Sequence, residues 1–395
     1  MSNINSVVVV SAVRTAIGGF GGSLKNFSPA QLGTICAKDA LRRAKISPEE
    51  VESCIVGKVI HNGPKDAYLA RVIALDAGLS DTSHAVTLNR LCGSGLEAII
   101  QAAQQIQLGE VKVALAGGAE SMSTSAYTLE SNRWGQKMGN SVVVDELTTT
   151  LQDPWNNLHM GITAENVADK YNISRKAQDE YAASSHVKAA KAIDSGFFQE
   201  QIVPVEIKSR KSTQLFDTDE HVRPDTTAES LSILKPYFKK DGSVTAATSS
   251  GINDGASMVV LMSEQKALKD GLQPLGRLIG YARAGVAPEL MGTGPIPAVQ
   301  QVFQKTGLTI DDIDVIESNE AFAVQAICVA NELNFPEEKV NPNGGAIALG
   351  HAVGATGAVL TTKCLYELKR IKGKYGLVTM CIGGGQGIAA IYQAM

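Results

Sequence analysis

The chain repeats itself, and the spacing of the repeat constrains the fold more than any single motif does. Glu49-Glu50-Val51-Glu52 is matched by Asp311-Asp312-Ile313-Asp314, and Cys92-Gly93-Ser94-Gly95 by Gly354-Ala355-Thr356-Gly357, both at an offset of 262 residues. The first pair introduces apolar strands and the second opens helices. One such match is within reach of chance. Two at one offset, with similar flanks, point to a duplicated unit. In the first copy, residues 6–12, 54–60, 85–88 and 111–116 read as strands from their apolar runs. Residues 29–44 and the stretch from Leu96 to a closing Gly109 read as helices. Its fourth strand ends in Gly117-Gly118, and the second copy ends its own in Gly383-Gly384-Gly385, a few residues late on that offset. Alternating strands and helices imply an α/β fold of mixed, mostly parallel sheets covered on both faces.

Between the copies the texture changes. From Met122 to about Gly251, polar residues, lone aromatics and short helices replace the alternation, with Lys208, Arg210, Lys211 and Arg223 set among acidic residues. Much of such a stretch reads as a solvated insertion; a cap over a ligand site is the sharper reading. At 395 residues there is room for three units. We place them at 1–121 plus 252–272, at 122–251 and at 273–395.

Composition closes off several classes. A net charge of −4 gives no global pull towards nucleic acid or anionic membranes. No run of about 18 apolar residues is present, so no membrane-spanning helix is expected. The opening residues lack a positive segment followed by an apolar core. Six scattered cysteines without a Cys-x-x-Cys pair favour neither a disulfide framework nor a zinc site. A reducing cytoplasm is the expected setting.

Chemistry concentrates where strands give way to glycine. Cys92 sits between an apolar strand and a helix start, where free N–H groups and the helix dipole are expected to lower a thiol's pKa. His351 falls at the position of Asn89 in the repeat, and Asn319 at that of Gly57. If the halves pack about a pseudo-twofold axis, these strand ends converge on one crevice with Cys381. A histidine is the usual base for a catalytic thiol. The glycines after Cys381 can present N–H groups to an oxyanion. Taken singly, each residue has a plainer reading: core packing for Cys92 and Cys381, a structural role for His351, helix capping for Asn319.

Taken together they resemble a known family. Asn89-Arg90-Leu91-Cys92-Gly93-Ser94-Gly95-Leu96, Gly117-Gly118-Ala119-Glu120-Ser121-Met122, His159-Met160-Gly161, Ser318-Asn319-Glu320-Ala321-Phe322, the glycine-rich run into His351, and Cys381-Ile382-Gly383-Gly384-Gly385 resemble the motifs of the thiolases. These are the acetyl-CoA acetyltransferases and 3-ketoacyl-CoA thiolases, and the likeness covers essentially the whole chain in the family's order. It implies two thiolase halves with a coenzyme A loop domain between them. It also implies reversible thiolytic cleavage of 3-ketoacyl-CoA, with Claisen condensation of acetyl-CoA as the reverse.

The roles follow residue by residue. Cys92 would be the acylated nucleophile, Cys381 the acid–base partner at the enolate, and His351 the activator of coenzyme A. His351 with an Asn319-held water would form one oxyanion hole, and the N–H groups of Cys92 and Gly383 the other. By the same resemblance Leu151, His159, Arg223, Ser230, Phe238, Ala246 and Ser250 would line coenzyme A, with Met160 and Met291 nearer the acyl group. No metal or resident cofactor is implied, since coenzyme A is a substrate. Homo-oligomers, tetramers or dimers, are implied too, and Trp134 is a candidate for such a contact.

Two features are particular to this chain. Ala352-Val353 follows His351 where the family usually has proline, which is expected to loosen the histidine loop. Arg90-Leu91 and Pro64-Lys65-Asp66-Ala67-Tyr68 resemble the broad-range β-ketothiolases. The rivals are another condensing enzyme, against which Cys381 before the triple glycine speaks, and a non-catalytic acyl-CoA or lipid carrier. The full set of reactive residues argues against a carrier.

Overall fold

The computed structural model describes residues 5–209 and 212–395, so Arg210 and Lys211 of the basic group lie outside the described residues. The first half runs β1 (Val7–Arg14), α1 (Pro29–Ala44), β2 (Ser53–Gly57), α2 (Leu69–Asp76), β3 (His84–Leu88), α3 (Ser94–Leu108) and β4 (Val113–Ser121). Local chemistry sets several boundaries. Ser28 and Gln31 form a reciprocal capping box with Pro29 in the first turn of α1, and Gly109 ends α3 at φ 77°. The segment between the halves carries α4 (Met160–Tyr171) and α5 (Arg175–Asp194). The chain then continues through β5 (Asn253–Ser263), β6 (Gly276–Gly285), α6 (Pro295–Thr306), β7 (Val315–Ser318), α7 (Ala323–Glu332), α8 (Thr356–Ile371), β8 (Tyr375–Ile382) and β9 (Gln386–Ala394).

The main strands follow the order β7-β8-β9-β6-β1-β5-β4-β2-β3. Strands of the second half occupy one end and those of the first half the other. They join through a short antiparallel pairing of β1 with β6, Val8 opposite Arg277 and Val9 opposite Gly276. Parallel ladders are confined to β2–β3, β2–β4 and β7–β8, and the other main pairings are antiparallel. The sheet is therefore mixed, without the parallel majority expected from the sequence. The reason lies in the connections. A helix returns the chain to the same sheet end and gives parallel neighbours, whereas the tight Gly383-Gly384-Gly385 turn forces β8 and β9 antiparallel.

The helices α3 and α8 form a buried layer shared by the two halves. Leu96, Ile99 and Ile100 of α3 share a core with Leu360 and Leu365 of α8, with Ile55 and Leu261 from one half and Val378 and Ile388 from the other. At the crossing only glycine fits. A Cβ on Gly95 would lie 2.8 Å from the Ala358 nitrogen, and one on Gly357 would lie 2.4 Å from the Leu96 nitrogen. These glycines are equivalent in the repeat, so the halves meet at matching points.

Much of the segment between the halves is exposed, residues 129–143 throughout, yet it is also tied to both halves. Arg14 of β1 is fully buried and holds Asp219 through two hydrogen bonds of 2.7 and 2.9 Å. Ser185 of α5 donates to Glu320 at 2.7 Å, so buried polar residues of the segment tie it to each half.

Candidate active site

The turn after β3 is built to present Cys92. Asn89 Oδ1 accepts from the Leu91 amide at 2.8 Å, and Ser94 Oγ accepts from the Arg90 amide at 2.8 Å while donating to the Leu91 carbonyl at 2.7 Å. These bonds hold Leu91 at φ 47°, a left-handed conformation that a branched side chain seldom adopts. The next residue, half-buried Cys92, is thrust from the turn at the start of α3. A Cβ on Gly93 would come within 2.6 Å of the Ile382 side chain, so the turn can rest on β8 only through glycine. The backbone amides of Gly383 and of Cys92 itself act to lower the pKa of the Cys92 thiol. Burial nevertheless raises it by more than those amides lower it, and the charge of Glu120 adds to the rise. This reverses the direction expected from the helix start: desolvation outweighs the dipole, and the thiol needs a base.

The second half supplies one. His351 is buried, its amide donating to Asn253 Oδ1 at 2.9 Å and its Nδ1 lying 2.7 Å from Thr356 Oγ1. Its Nε2 is buried without a protein partner among the described residues. Burial pulls the imidazole pKa down to about 4, so the ring is neutral at pH 7. The loop after it is held by local hydrogen bonds: the Ala352 carbonyl accepts from the amides of Ala355 and Thr356 and from the Thr356 hydroxyl. Cys381, next to the last residue of β8, is fully buried, its pKa raised by burial first and then by Cys92. Asn319 follows β7, also fully buried, its amide donating to the Thr379 carbonyl at 3.0 Å. Both polar atoms of its side chain lack a hydrogen-bond partner among the described residues.

A cavity of about 550 Å³ gathers most of these groups. Cys92, His351, Cys381 and Gly383 open on it, together with Leu151, His159, Met160, Phe238, Ala246, Ser250 and Met291. His159 caps α4 through Nδ1, which accepts from the Gly161 amide at 3.0 Å, and stacks on Phe238 with centroids 4.9 Å apart. Gly161 is where Phe238 lands; a Cβ there would be 2.2 Å from the ring. Next to Cys92 the wall is apolar, from Met122, Leu147, Ile252 and Val353.

Three of the expected residues do not line this cavity. Asn319 is one. Arg223 is exposed, with its amide donating to His186 Nδ1 at 3.1 Å, and Ser230 is taken up in a capping box with Thr227. Three residues that sequence reasoning passed over stand out instead. Asn253 and Thr356 hold His351, as above. Glu120 is fully buried and accepts from the amides of Val59, Ile60 and Gly354, bridging the two halves. Burial raises its pKa to about 7. Glu120 lay inside a quoted motif, and Thr356 is the partner of Ser94 in the repeat, so both left a signal. For Asn253 the one cue was a polar residue at the head of an apolar strand.

The geometry has close parallels. The thiolase N-terminal domain model matches residues 7–265 and the thiolase C-terminal domain model matches residues 272–394. The beta-ketothiolase BktB of Cupriavidus necator is 53% identical over 388 residues, covering 98% of this chain and 98% of that protein. The crystal structure of the Bacillus anthracis acetyl-CoA acetyltransferase superposes with a TM-score of 0.97 at 47% identity, over 99% of both chains. That of the human mitochondrial 3-ketoacyl-CoA thiolase in complex with CoA gives 0.96 at 44% identity, over 99% of this chain and 98% of the other.

Proposed function

The chain belongs to the thiolase family, and from that premise we propose how its residues divide the work. As a thiolase it is an acyltransferase that cleaves 3-ketoacyl-CoA with coenzyme A and runs the Claisen condensation of acetyl-CoA in reverse. One observation carries the assignment of roles: Cys92, His351, Cys381 and Gly383 open on a single cavity.

In cleavage, His351 Nε2 takes the Cys92 proton and the thiolate attacks the 3-keto carbon. The bond between C2 and C3 breaks, the acyl group stays on Cys92, and Cys381 gives its proton to C2 of the departing acetyl-CoA enolate. His351 passes its proton on to Cys381. Coenzyme A then loses its thiol proton to His351 and attacks the acyl carbon, and Cys92 leaves and is reprotonated by His351. Raised thiol pKa values suit this scheme, because Cys381 must hold a proton until an enolate is there to take it. The amides of Cys92 and Gly383 stabilise the oxyanion on the acyl group, and protonated His351 with a water held by Asn319 stabilises the other. Coenzyme A enters as a substrate, along the wall of His159, Phe238, Ala246 and Ser250. Arg223 and Ser230, outside the cavity, reach it only at its distant nucleotide end.

The apolar wall beside Cys92 favours acyl chains longer than acetyl, a broad range, as in fatty acid metabolism. A homotetramer is the assembly we favour over a dimer, supported by the exposed apolar run of Trp134, Met138, Val142 and Val143; light scattering tests it. Six free cysteines suit the cytoplasm. The deciding experiment is coenzyme A-dependent cleavage of 3-ketoacyl-CoA substrates from four carbons upward, with Cys92→Ser as control and acetyl-CoA read by mass spectrometry. Cleavage that persists in the control would sink the assignment, and activity on acetoacetyl-CoA alone would remove the broad range.

A further inference from the structure

We infer that Thr356 is a positioning residue that fixes His351 as the Nδ1–H tautomer, leaving Nε2 as a lone pair beside the cavity. The tautomer follows from a proton count. Thr356 Oγ1 lies 2.9 Å from the Ala352 carbonyl and 2.7 Å from His351 Nδ1. A carbonyl only accepts, so the hydrogen in the first contact belongs to the threonine hydroxyl. That hydroxyl has no second hydrogen and meets Nδ1 with a lone pair. Two lone pairs at that distance repel, so Nδ1 must carry the proton of the second contact.

The hydroxyl has little freedom to do otherwise. Thr356 is the first residue of α8 and is almost fully buried, and a β-branched side chain is stiff about its first torsion. Its bond to the carbonyl four residues back is the local bond a helical threonine makes most readily. The other half shows the same device. Ser94, its partner in the repeat and the first residue of α3, donates to the Leu91 carbonyl and accepts from the Arg90 amide. In one half this hydroxyl organises the turn of the nucleophile, and in the other it orients the base. Because burial keeps the imidazole neutral at pH 7, the tautomer decides whether Nε2 takes a proton or gives one.

This inference rests on the role proposed for His351, and the test separates the two. Histidine-selective ¹⁵N labelling of the full-length protein, with His351→Gln to assign its signals, reads the tautomer by NMR at pH 7. A protonated Nδ1 with an unprotonated Nε2 is the expected result, and the opposite pattern overturns the inference. Thr356→Val should lower kcat roughly tenfold to a hundredfold, as loss of a residue that orients a ligating or basic histidine does, with KM changed less than about twofold. Thr356→Ser should restore most of it. Equal kcat in the valine variant overturns the positioning role, and should that variant fail to fold, the wild-type tautomer still decides. A wild-type enzyme without Cys92-dependent cleavage would defeat the functional reading while leaving the tautomer assignment in place.

Discussion

At the start of α3 the first half carries a thiol; at the start of α8, 262 residues later, the second half carries Gly354. The Gly354 amide donates to Glu120 at 2.9 Å, and a Cβ there would lie 2.5 Å from a Glu120 oxygen. The space that Cys92 uses in one half is filled in the other. The reverse holds three residues earlier. His351 faces the cavity, whereas Asn89, its counterpart, turns its carbonyl oxygen back onto the Leu91 amide. The frame is duplicated and the chemistry is not. Duplication supplies two helix starts that meet, and side-chain volume then assigns the nucleophile to one and the base to the other.

Breaking the first half's share should have the largest effect. Cys92→Ser is expected to lower thiolytic kcat at least roughly ten-thousand-fold, because serine at this site lacks both the acidity and the nucleophilicity of the thiol. Loss of radiolabelled acetyl transfer to the protein checks it. On the other side, Cys381→Ser should cost about a hundred- to ten-thousand-fold in condensation and cleavage, yet still permit acylation of Cys92 by acetyl-CoA. Trapping that acyl-enzyme by mass spectrometry separates the two thiols.

The seam between the halves offers a stability comparison. Gly357→Ala should destabilise by roughly 1–3 kcal/mol in denaturant unfolding, as overpacking does, and Gly95→Ala by less, since its nearest backbone neighbour is farther away. A larger loss at Gly95 would contradict the geometry. The smallest effect concerns pH. The folded-state pKa of His351 is depressed from 6.5 to about 4, so its share of stability is complete above pH 6.5 and is lost as pH falls towards 4. Relative to His351→Gln, the wild-type protein should lose on the order of 1 kcal/mol between pH 6.5 and 5.5. A constant difference across that window would place the imidazole in water.

Much of this was legible in the chain because glycine and strand ends leave local marks. The offset of the repeat, the cap at Gly109 and the gathering of Cys92, His351 and Cys381 on one cavity all followed from such marks. Strand direction was harder. An apolar run shows burial without direction, so the antiparallel pairings of β5, β6 and β9 gave no sign. The sense of the Cys92 pKa shift was misread because a helix start is visible in sequence and desolvation is not. Arg223 and Ser230 lie outside the cavity for a related reason: long-range packing sets where an irregular segment runs.

The crossing of α3 and α8 at Gly95 and Gly357 also bears on how the molecule assembles in time. Its contacts join Gly95 to Ala358 and Gly357 to Leu96, and closing so long a loop costs more entropy than closing the short loops between neighbouring elements of one half. Each half can gain its secondary structure early, while Cys92 and His351 meet only when the two glycine crossings seat. In a refolding experiment helical signal should therefore return before acyl transfer does, and regained activity clocks the docking of the halves.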